Sequence, residues 1–275
     1  MSKVVSVVLV LVGVGILSWW LLRGEVDVPL RVPGTDITAE QMKEREAAAS
    51  GQGVLTAGAG KASSLAGSWP RFRNSNFDSI STETIALNMD WPAGGPPVLW
   101  KMELGEGHAG AAVLAGRVYI LDYDREKEKD VLRCLSLDDG AEIWNYAYPV
   151  KIKRNHGMSR TVPAVTEKYI VTLGPKCHVH CLDPVTGKFY WMIDLVKEYQ
   201  TIVPPWYAGQ CPLIDGERVI LAPGGSALLI AVDGASGKVL WESPNPGKWD
   251  MTHSSIIPMT FRNKKMYVYC GRGGV

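Results

Sequence analysis

Cys177-His-Val-His-Cys181 packs two thiols and two imidazoles into five consecutive residues. Thiolate and imidazole are ligands for zinc and several transition metals, so this run is the first place to look for a metal centre. The spacing argues against one. On an extended strand, Cys177, Val179 and Cys181 share one face while His178 and His180 take the other. Four ligands cannot converge from opposite faces of a sheet. Ordinary strand packing is therefore expected, with His178 and His180 left to hold a metal weakly on an outer face. The five cysteines are Cys134, Cys177, Cys181, Cys211 and Cys270. They are odd in number and irregularly spaced, which excludes a disulfide framework and leaves at least one free thiol. Lys plus Arg number 29 against 28 Asp plus Glu, so no general field favours nucleic acid, and none is expected as a partner.

The elements that position these residues differ along the chain. Val4 to Leu22 is uncharged and apolar, flanked by Lys3 and Arg23, with Trp19 and Trp20 near one end. As a helix it spans roughly the ~30 Å hydrocarbon core of a bilayer, and indoles belong at the interface. Secretory signals have shorter apolar runs and a small-residue cleavage site, and none follows Leu22. No cysteine lies nearby to carry a lipid. Residues 1–23 are thus expected to be a transmembrane signal-anchor, with a cleaved signal peptide as the alternative, and either way the bulk of the chain is exported. Residues 24–67 read as a flexible linker, rich in Gly, Ala and Ser and poor in large apolar groups. Within it, Thr38-Ala-Glu-Gln41 is a capping-box pattern that predicts a short helix to Ala49.

From residue 68 onward, short apolar runs alternate with Gly, Pro and Asp, which predicts strands. Three segments align without gaps: Cys134 to Trp144, Cys181 to Trp191 and Ala231 to Trp241. Each starts on a small residue, carries Gly six positions on (Gly140, Gly187, Gly237) and ends on Trp144, Trp191 or Trp241. The second and third copies place Asp183 and Asp233 two positions on, and Thr186 and Ser236 five on. The first copy departs there, with Ser136 and Asp139. Asp and Thr or Ser can bond the backbone of a tight turn, Gly supplies positive φ, and the indole is large enough to dock one sheet on the next. Two further strands precede each copy, Val162–Thr166 and Lys168–Leu173 in the second unit and Cys211–Ile214 and Glu217–Ala222 in the third. Four short antiparallel strands repeating at 47 and 50 residues are the signature of propeller blades.

This turn-plus-Trp pattern resembles the tryptophan-docking motif of PQQ-like β-propellers, a superfamily that includes BamB-type assembly factors and quinoprotein dehydrogenases. The opening Trp69-Pro-Arg-Phe-Arg-Asn also resembles the start of exported PQQ-like repeat proteins. The resemblance covers residues 69–275 and implies an all-β propeller of four-stranded antiparallel blades over 68–275. A fourth unit, with strands from Ser254 to Thr260 and from Lys264 to Cys270, stops before its own docking turn. Trp100, with Pro97 to Leu104, reads as an isolated last strand. The expectation is an incomplete ring of about three blades and part of a fourth.

Aligning the units places Glu106-Gly-His108, Met158-Ser-Arg160, Tyr207-Ala-Gly209 and His253-Ser-Ser255 at equivalent positions. In a propeller such loops ring one mouth of the central channel, so His108, Arg160, Trp206, Tyr207 and His253 are the candidate binding residues. Resemblance to the dehydrogenases would imply PQQ and calcium in the funnel, an aspartate base and often adjacent cysteines. No Cys-Cys pair exists, no Asp or Glu matches residue by residue, and no cofactor is expected outside that alternative. The preferred expectation is a periplasmic scaffold, tethered to the bacterial inner membrane, that binds an envelope protein or polymer. A dehydrogenase is the first alternative and a structural repeat protein without a specific ligand the second.

Overall fold

The computed structural model describes residues 2–23, 51–153 and 158–275. The chain divides into two compact units, Met1–Met42 and Lys43–Val275. In the first, α1 (Ser2–Leu22) is apolar and exposed all round. It is long and apolar enough to cross a membrane, and such a helix serves equally as an anchor or a signal. The short helix expected between Thr38 and Ala49 lies outside the described residues.

The second unit is built from sheets. Blade 1 holds β2 (Ala112–Leu114), β3 (Arg117–Asp124), β4 (Lys129–Ser136) and β5 (Glu142–Pro149). Blade 2 holds β6 (Ala164–Val165), β7 (Ile170–Leu173), β8 (His178–Leu182) and β9 (Phe189–Asp194). Blade 3 holds β10 (Leu213–Asp215), β11 (Arg218–Leu221), β12 (Ala227–Asp233) and β13 (Val239–Pro244), and a hairpin follows, β14 (Ile257–Phe261) with β15 (Lys264–Val268). Every pairing is antiparallel between sequence neighbours within a blade. This is the all-β, incomplete propeller that the repeats imply. A helix of five residues, α2 (Leu195–Tyr199), follows blade 2, capped by Asp194. The first strands β2, β6 and β10 lie beside one another and form the inner edge of the array.

Blades 2 and 3 bury both faces, and strand periodicity sorts their residues between two cores. Ile170 and Leu182 of blade 2 pack with Tyr119, Leu121 and Trp144 of blade 1. Val171, Leu173, Val179 and Cys181, on the opposite face, pack with Val219, Leu221 and Val232 of blade 3. Ile220 and Ala231 turn the other way, toward Ile256 and Tyr269 of the fourth unit. This two-sided burial is why β7 reads as a continuous apolar run and not as an alternation.

The docking motif has a consistent geometry. Cys134, Cys181 and Ala231 sit in third strands, not at the ends of inner ones, and each is the direct cross-strand partner of its motif Trp. A small residue there leaves room for the indole. The indole then reaches the next blade. Trp144 Nε1 donates to the Val185 carbonyl at 3.0 Å, and Trp191 Nε1 donates to the Gly234 carbonyl at 2.8 Å. Its ring covers that blade's turn glycine: a Cβ on Gly187 would lie 2.8 Å from Trp144, and one on Gly237 2.8 Å from Trp191. Both glycines also sit at positive φ, 72° and 70°. Only glycine meets both demands. Asp183 and Asp233 accept from backbone N–H groups of their turns, and the Thr186 and Ser236 hydroxyls add a second bond each. Trp241, with a shorter partner unit, stacks on Tyr267 at 6.0 Å and stays half-exposed.

Trp100 follows the same rule. Its Nε1 donates to the Leu137 carbonyl at 3.0 Å, and its ring lies over Gly140. The expected strand over Pro97–Leu104 is not formed, because no neighbouring strand offers this segment a ladder among the described residues. The indole docks nonetheless.

The linker expected over residues 24–67 is not free along its described part: residues 51 to 67 are bound to blade 1. Here β1 (Val54–Ala57) pairs with the outer strand β5, Val54 opposite Ala147 and Ala57 opposite Trp144. The ladder continues as Gly58 and Gly60 donate to the Ile143 and Glu142 carbonyls and Ser63 donates to that of Gly116. The glycines that suggested flexibility are a packing requirement. A Cβ on Gly53 would lie 2.6 Å from the Tyr146 ring, whose hydroxyl accepts from the Gly53 N–H. An exposed edge strand has spare main-chain groups, and a side-chain-poor tape can lie flat on them.

Candidate functional site

Residues 69 to 80 cross the inner edge of all three blades. Trp69 exchanges two backbone hydrogen bonds with Val113 of β2, at 2.8 and 2.9 Å. The Pro70 carbonyl accepts from Val165 of β6, and Arg71 Nη1 donates to the Ile214 carbonyl of β10. Burial pulls the Arg71 guanidinium below its usual value, against the attraction of Asp215. Phe77 packs against the core between blade 3 and the fourth unit. The loop that follows Arg71 is tightly wound: Arg73, Asn74, Phe77 and Ser79 all have φ between 60° and 66°. Asn74, buried, ties it together. Its Nδ2 donates to the Ile80 carbonyl at 2.8 Å and its Oδ1 accepts from Ser75 N–H at 2.8 Å. Non-glycine residues held at positive φ cost roughly 1–2 kcal/mol each and persist only where surroundings over-determine them.

Between this segment and the loops that enter the first strands lies a cavity of about 590 Å³. Four equivalent loops reach it. They bring His108 ahead of β2, Arg160 and Val162 ahead of β6, Cys211 ahead of β10 and His253 ahead of β14. The crossing segment supplies Trp69, Phe72, Arg73 and Ser79. The loops are fixed by strand-like contacts: the Ser159 carbonyl accepts from His108 N–H at 2.7 Å, and Ser255 Oγ accepts from Cys211 N–H at 3.0 Å. His253 packs on Gly209, and its Nε2 lies 2.8 Å from the Tyr207 carbonyl, so that nitrogen carries a proton.

Three of the five candidate residues, His108, Arg160 and His253, therefore line one cavity. Tyr207 stands behind His253: its carbonyl holds the imidazole and its hydroxyl donates to the Lys153 carbonyl at 2.6 Å. Trp206 is 51% exposed and lies outside the cavity lining. Sequence reasoning missed Phe72, Arg73 and Ser79. The Trp69-Pro-Arg-Phe-Arg-Asn run marked the segment, but nothing in the repeat pattern places a non-repeat segment across the inner edge.

The Cys-His-Val-His-Cys run splits between two interfaces. Cys177 Sγ touches Met251 Sδ at 3.8 Å and Cys181 Sγ lies 3.6 Å from the Gly234 carbonyl, both toward blade 3. Burial pushes the Cys177 thiol up to about 12. His178 and His180 face blade 1, and neither is on an outer face as the sequence suggests. Their rings lie 5.6 and 4.3 Å from that of Tyr148. Among the described residues no group of three or more His, Cys, Asp or Glu is arranged to hold a metal ion.

Tyr148 belongs to a buried polar cluster. Its hydroxyl donates to Asp130 Oδ2 at 2.9 Å, and Ser159 Oγ donates to Asp130 Oδ1 at 2.5 Å. Burial raises the Asp130 carboxyl to about 7, against the pull of those two hydrogen bonds. Burial lowers His180 to about 3, although its Nε2 meets the Gly51 carbonyl at 3.2 Å. Ser159 thus links the interface between blades 1 and 2 to the loop carrying Arg160.

The family model described as outer membrane protein assembly factor BamB matches residues 127–275. A search of the curated proteins finds no match. Among solved structures, BamB from Moraxella catarrhalis is 14% identical, with 62% of this chain and 47% of that one covered at a TM-score of 0.40. Quinohemoprotein alcohol dehydrogenase from Comamonas testosteroni is 17% identical, with 60% and 32% covered at 0.41. The computationally designed Ika4 protein is 12% identical, with 66% and 95% covered at 0.40. This chain spans less than half of the BamB and dehydrogenase chains, and likenesses at these scores carry no conclusion about activity. The match across residues 127–275 takes in more than half of the chain and the three docking turns, and the chain belongs to the PQQ-like repeat propeller family of the BamB assembly factor.

Proposed function

We propose that this protein is a non-enzymatic binding scaffold of the cell envelope, tethered to the inner membrane by α1 with its propeller in the periplasm, and that the inner cavity is its recognition site. The observation that carries the reading is the make-up of that cavity. Loops from three blades and a fourth unit converge on it, rigid sheets hold them, and every ionisable side chain in the lining except the Cys211 thiol is an Arg or a His. Loops displayed on a rigid scaffold are where binding resides. The BamB description of the matching family agrees with a protein-binding role.

The dehydrogenases of the same superfamily set the competing expectation. A quinone with calcium requires oxygen donors for the cation and a carboxylate to serve as base. No Asp or Glu lines the cavity, so its donor set does not fit that pair. The test uses the full chain in detergent. Titration with PQQ and calcium, followed by an alcohol and an artificial electron acceptor, is expected to give no turnover. Reduction of the acceptor would overturn the scaffold reading. Stoichiometric co-purification of one envelope polypeptide, lost when Arg73 and Arg160 are changed to Ala, would support it.

A further inference from the structure

We infer that the inner cavity binds a carboxylate carried on an apolar body, with the carboxylate held between the crossing segment and the loop entering blade 2. The inference rests on the scaffold reading and names its ligand chemistry.

Charge is the first ground. The whole chain is balanced, 29 basic against 28 acidic residues, yet the cavity gathers Arg73, Arg160, His108 and His253 with no Asp or Glu among its lining. A concave site with low-dielectric walls focuses the field of the two like-charged arginines and concentrates counter-ions. The two arginines come from different elements of the lining, Arg73 from the crossing segment and Arg160 from the blade 2 loop. Arginine's planar fork matches a carboxylate through paired N–H donors. The Cys211 thiol, pushed up by burial, adds no negative charge.

Shape is the second ground. At about 590 Å³ the cavity exceeds what one carboxylate fills and falls within the range of small-molecule and short-peptide sites. Trp69, Phe72 and Val162 give it an apolar wall, and Ser254 and Ser255 give further hydroxyl donors. A ligand that satisfies both halves has an acid at one end and an aromatic or aliphatic body at the other.

Backbone is the third ground. Arg73 and Asn74 are left-handed, Phe77 and Ser79 follow in the same region, and the Asn74 side chain locks the turn. A loop that only bridged three blades would need none of this between Arg71 and Phe77, which already make the blade contacts. The winding holds Phe72 and Arg73 at the border of the cavity, on its solvent side.

Two sources share this chemistry, the C-terminal or acidic residue of a polypeptide and a free organic acid. Calorimetric titration of the full chain in detergent separates them with three probes: a tetrapeptide ending in phenylalanine carboxylate, the same peptide as its C-terminal amide, and 3-phenylpropionate. The expected result is binding of the carboxylate peptide, weakened by high salt, and at least tenfold weaker binding of the amide. Arg160→Ala and Arg73→Ala should each weaken it about tenfold, with Arg160→Lys intermediate and the unfolding midpoint close to that of the parent. If 3-phenylpropionate binds as tightly as the peptide, the ligand is a free acid. If the peptide binds over tenfold tighter, it is a polypeptide. Equal affinity for peptide and amide, no binding of any probe, or unchanged affinity in both arginine variants overturns the inference. Should that happen while an envelope partner still co-purifies, the carboxylate assignment fails and the scaffold reading stands. Quinone-dependent turnover would sink the scaffold reading by itself.

Discussion

The outer turns and the inner cavity are built from opposite kinds of sequence. At the turns one solution recurs three times, as Trp100 on Gly140, Trp144 on Gly187 and Trp191 on Gly237. At the cavity each entrance loop brings a different residue, and the segment opposite has no counterpart in any blade. Repetition marks what every blade must do to its neighbour, which is to dock. Departure from repetition marks what a single site must do. The two regions should therefore respond differently to mutation: turn variants through stability alone, cavity variants through binding.

The largest effect belongs to a docking indole. Trp191 is 6% exposed, fills the interface between blades 2 and 3 and donates to the Gly234 carbonyl. Trp191→Ala removes that packing and leaves the carbonyl with only the weak Cys181 thiol, at an expected cost of roughly 3–5 kcal/mol. Chemical denaturation should show the midpoint fall by a matching amount, with carboxylate binding by the folded fraction retained. An unchanged midpoint would show that docking does not hold the blades together.

The same contrast explains what could be read in advance. The blades were legible because Gly and Trp at fixed spacing have a single steric meaning, and Cys181 opposite Trp191 completes it. The equivalence of His108, Arg160 and His253 followed from the same alignment. The crossing segment was not legible, since its partners Val113, Val165 and Ile214 are separated from it by up to 143 residues and bond mainly through backbone. Composition misled at 51–67 for a related reason. A glycine that lies flat on the Tyr146 ring and a glycine in a mobile tether are the same letter, and only the exposed edge of β5 distinguishes them.

An intermediate effect is expected at Asn74, which touches no ligand. Asn74→Ala removes the buried side chain that bonds Ser75 and the Ile80 carbonyl, and puts a residue less tolerant of positive φ at 66°. The expected loss is about 1–3 kcal/mol of local stability. The comparison predicts that carboxylate affinity falls with it while the docking tryptophans remain buried, as seen by their fluorescence and quencher accessibility. Affinity equal to that of the parent would mean the wound loop does not hold Phe72 and Arg73 in place.

The smallest effect tests a link between the blade 1–blade 2 interface and the cavity, the Ser159–Asp130–Tyr148 cluster. Asp130 titrates at about 7 in the folded chain against an ordinary 3.8, so the folded state holds its proton more tightly. That contribution is full below about pH 4 and is lost as pH rises to about 7. His180 works in the opposite sense. Its folded value of about 3 against an ordinary 6.5 gives a contribution present above about pH 6.5 and lost as pH falls. Each slope is at most about 1.4 kcal/mol per pH unit, and between about pH 4 and 6.5 the two oppose each other. Asn at position 130 keeps an oxygen to accept from Ser159 and an amide for the Tyr148 oxygen, but it does not titrate. The stability of Asp130→Asn relative to the parent should therefore rise by about 1 kcal/mol per pH unit from pH 4.5 to 6.5, with the His180 contribution common to both proteins. Urea midpoints at those two pH values measure it. A pH-independent difference would mean Asp130 is ionised in the folded chain throughout, and that the loop bearing Arg160 rests on a carboxylate and not on a carboxylic acid.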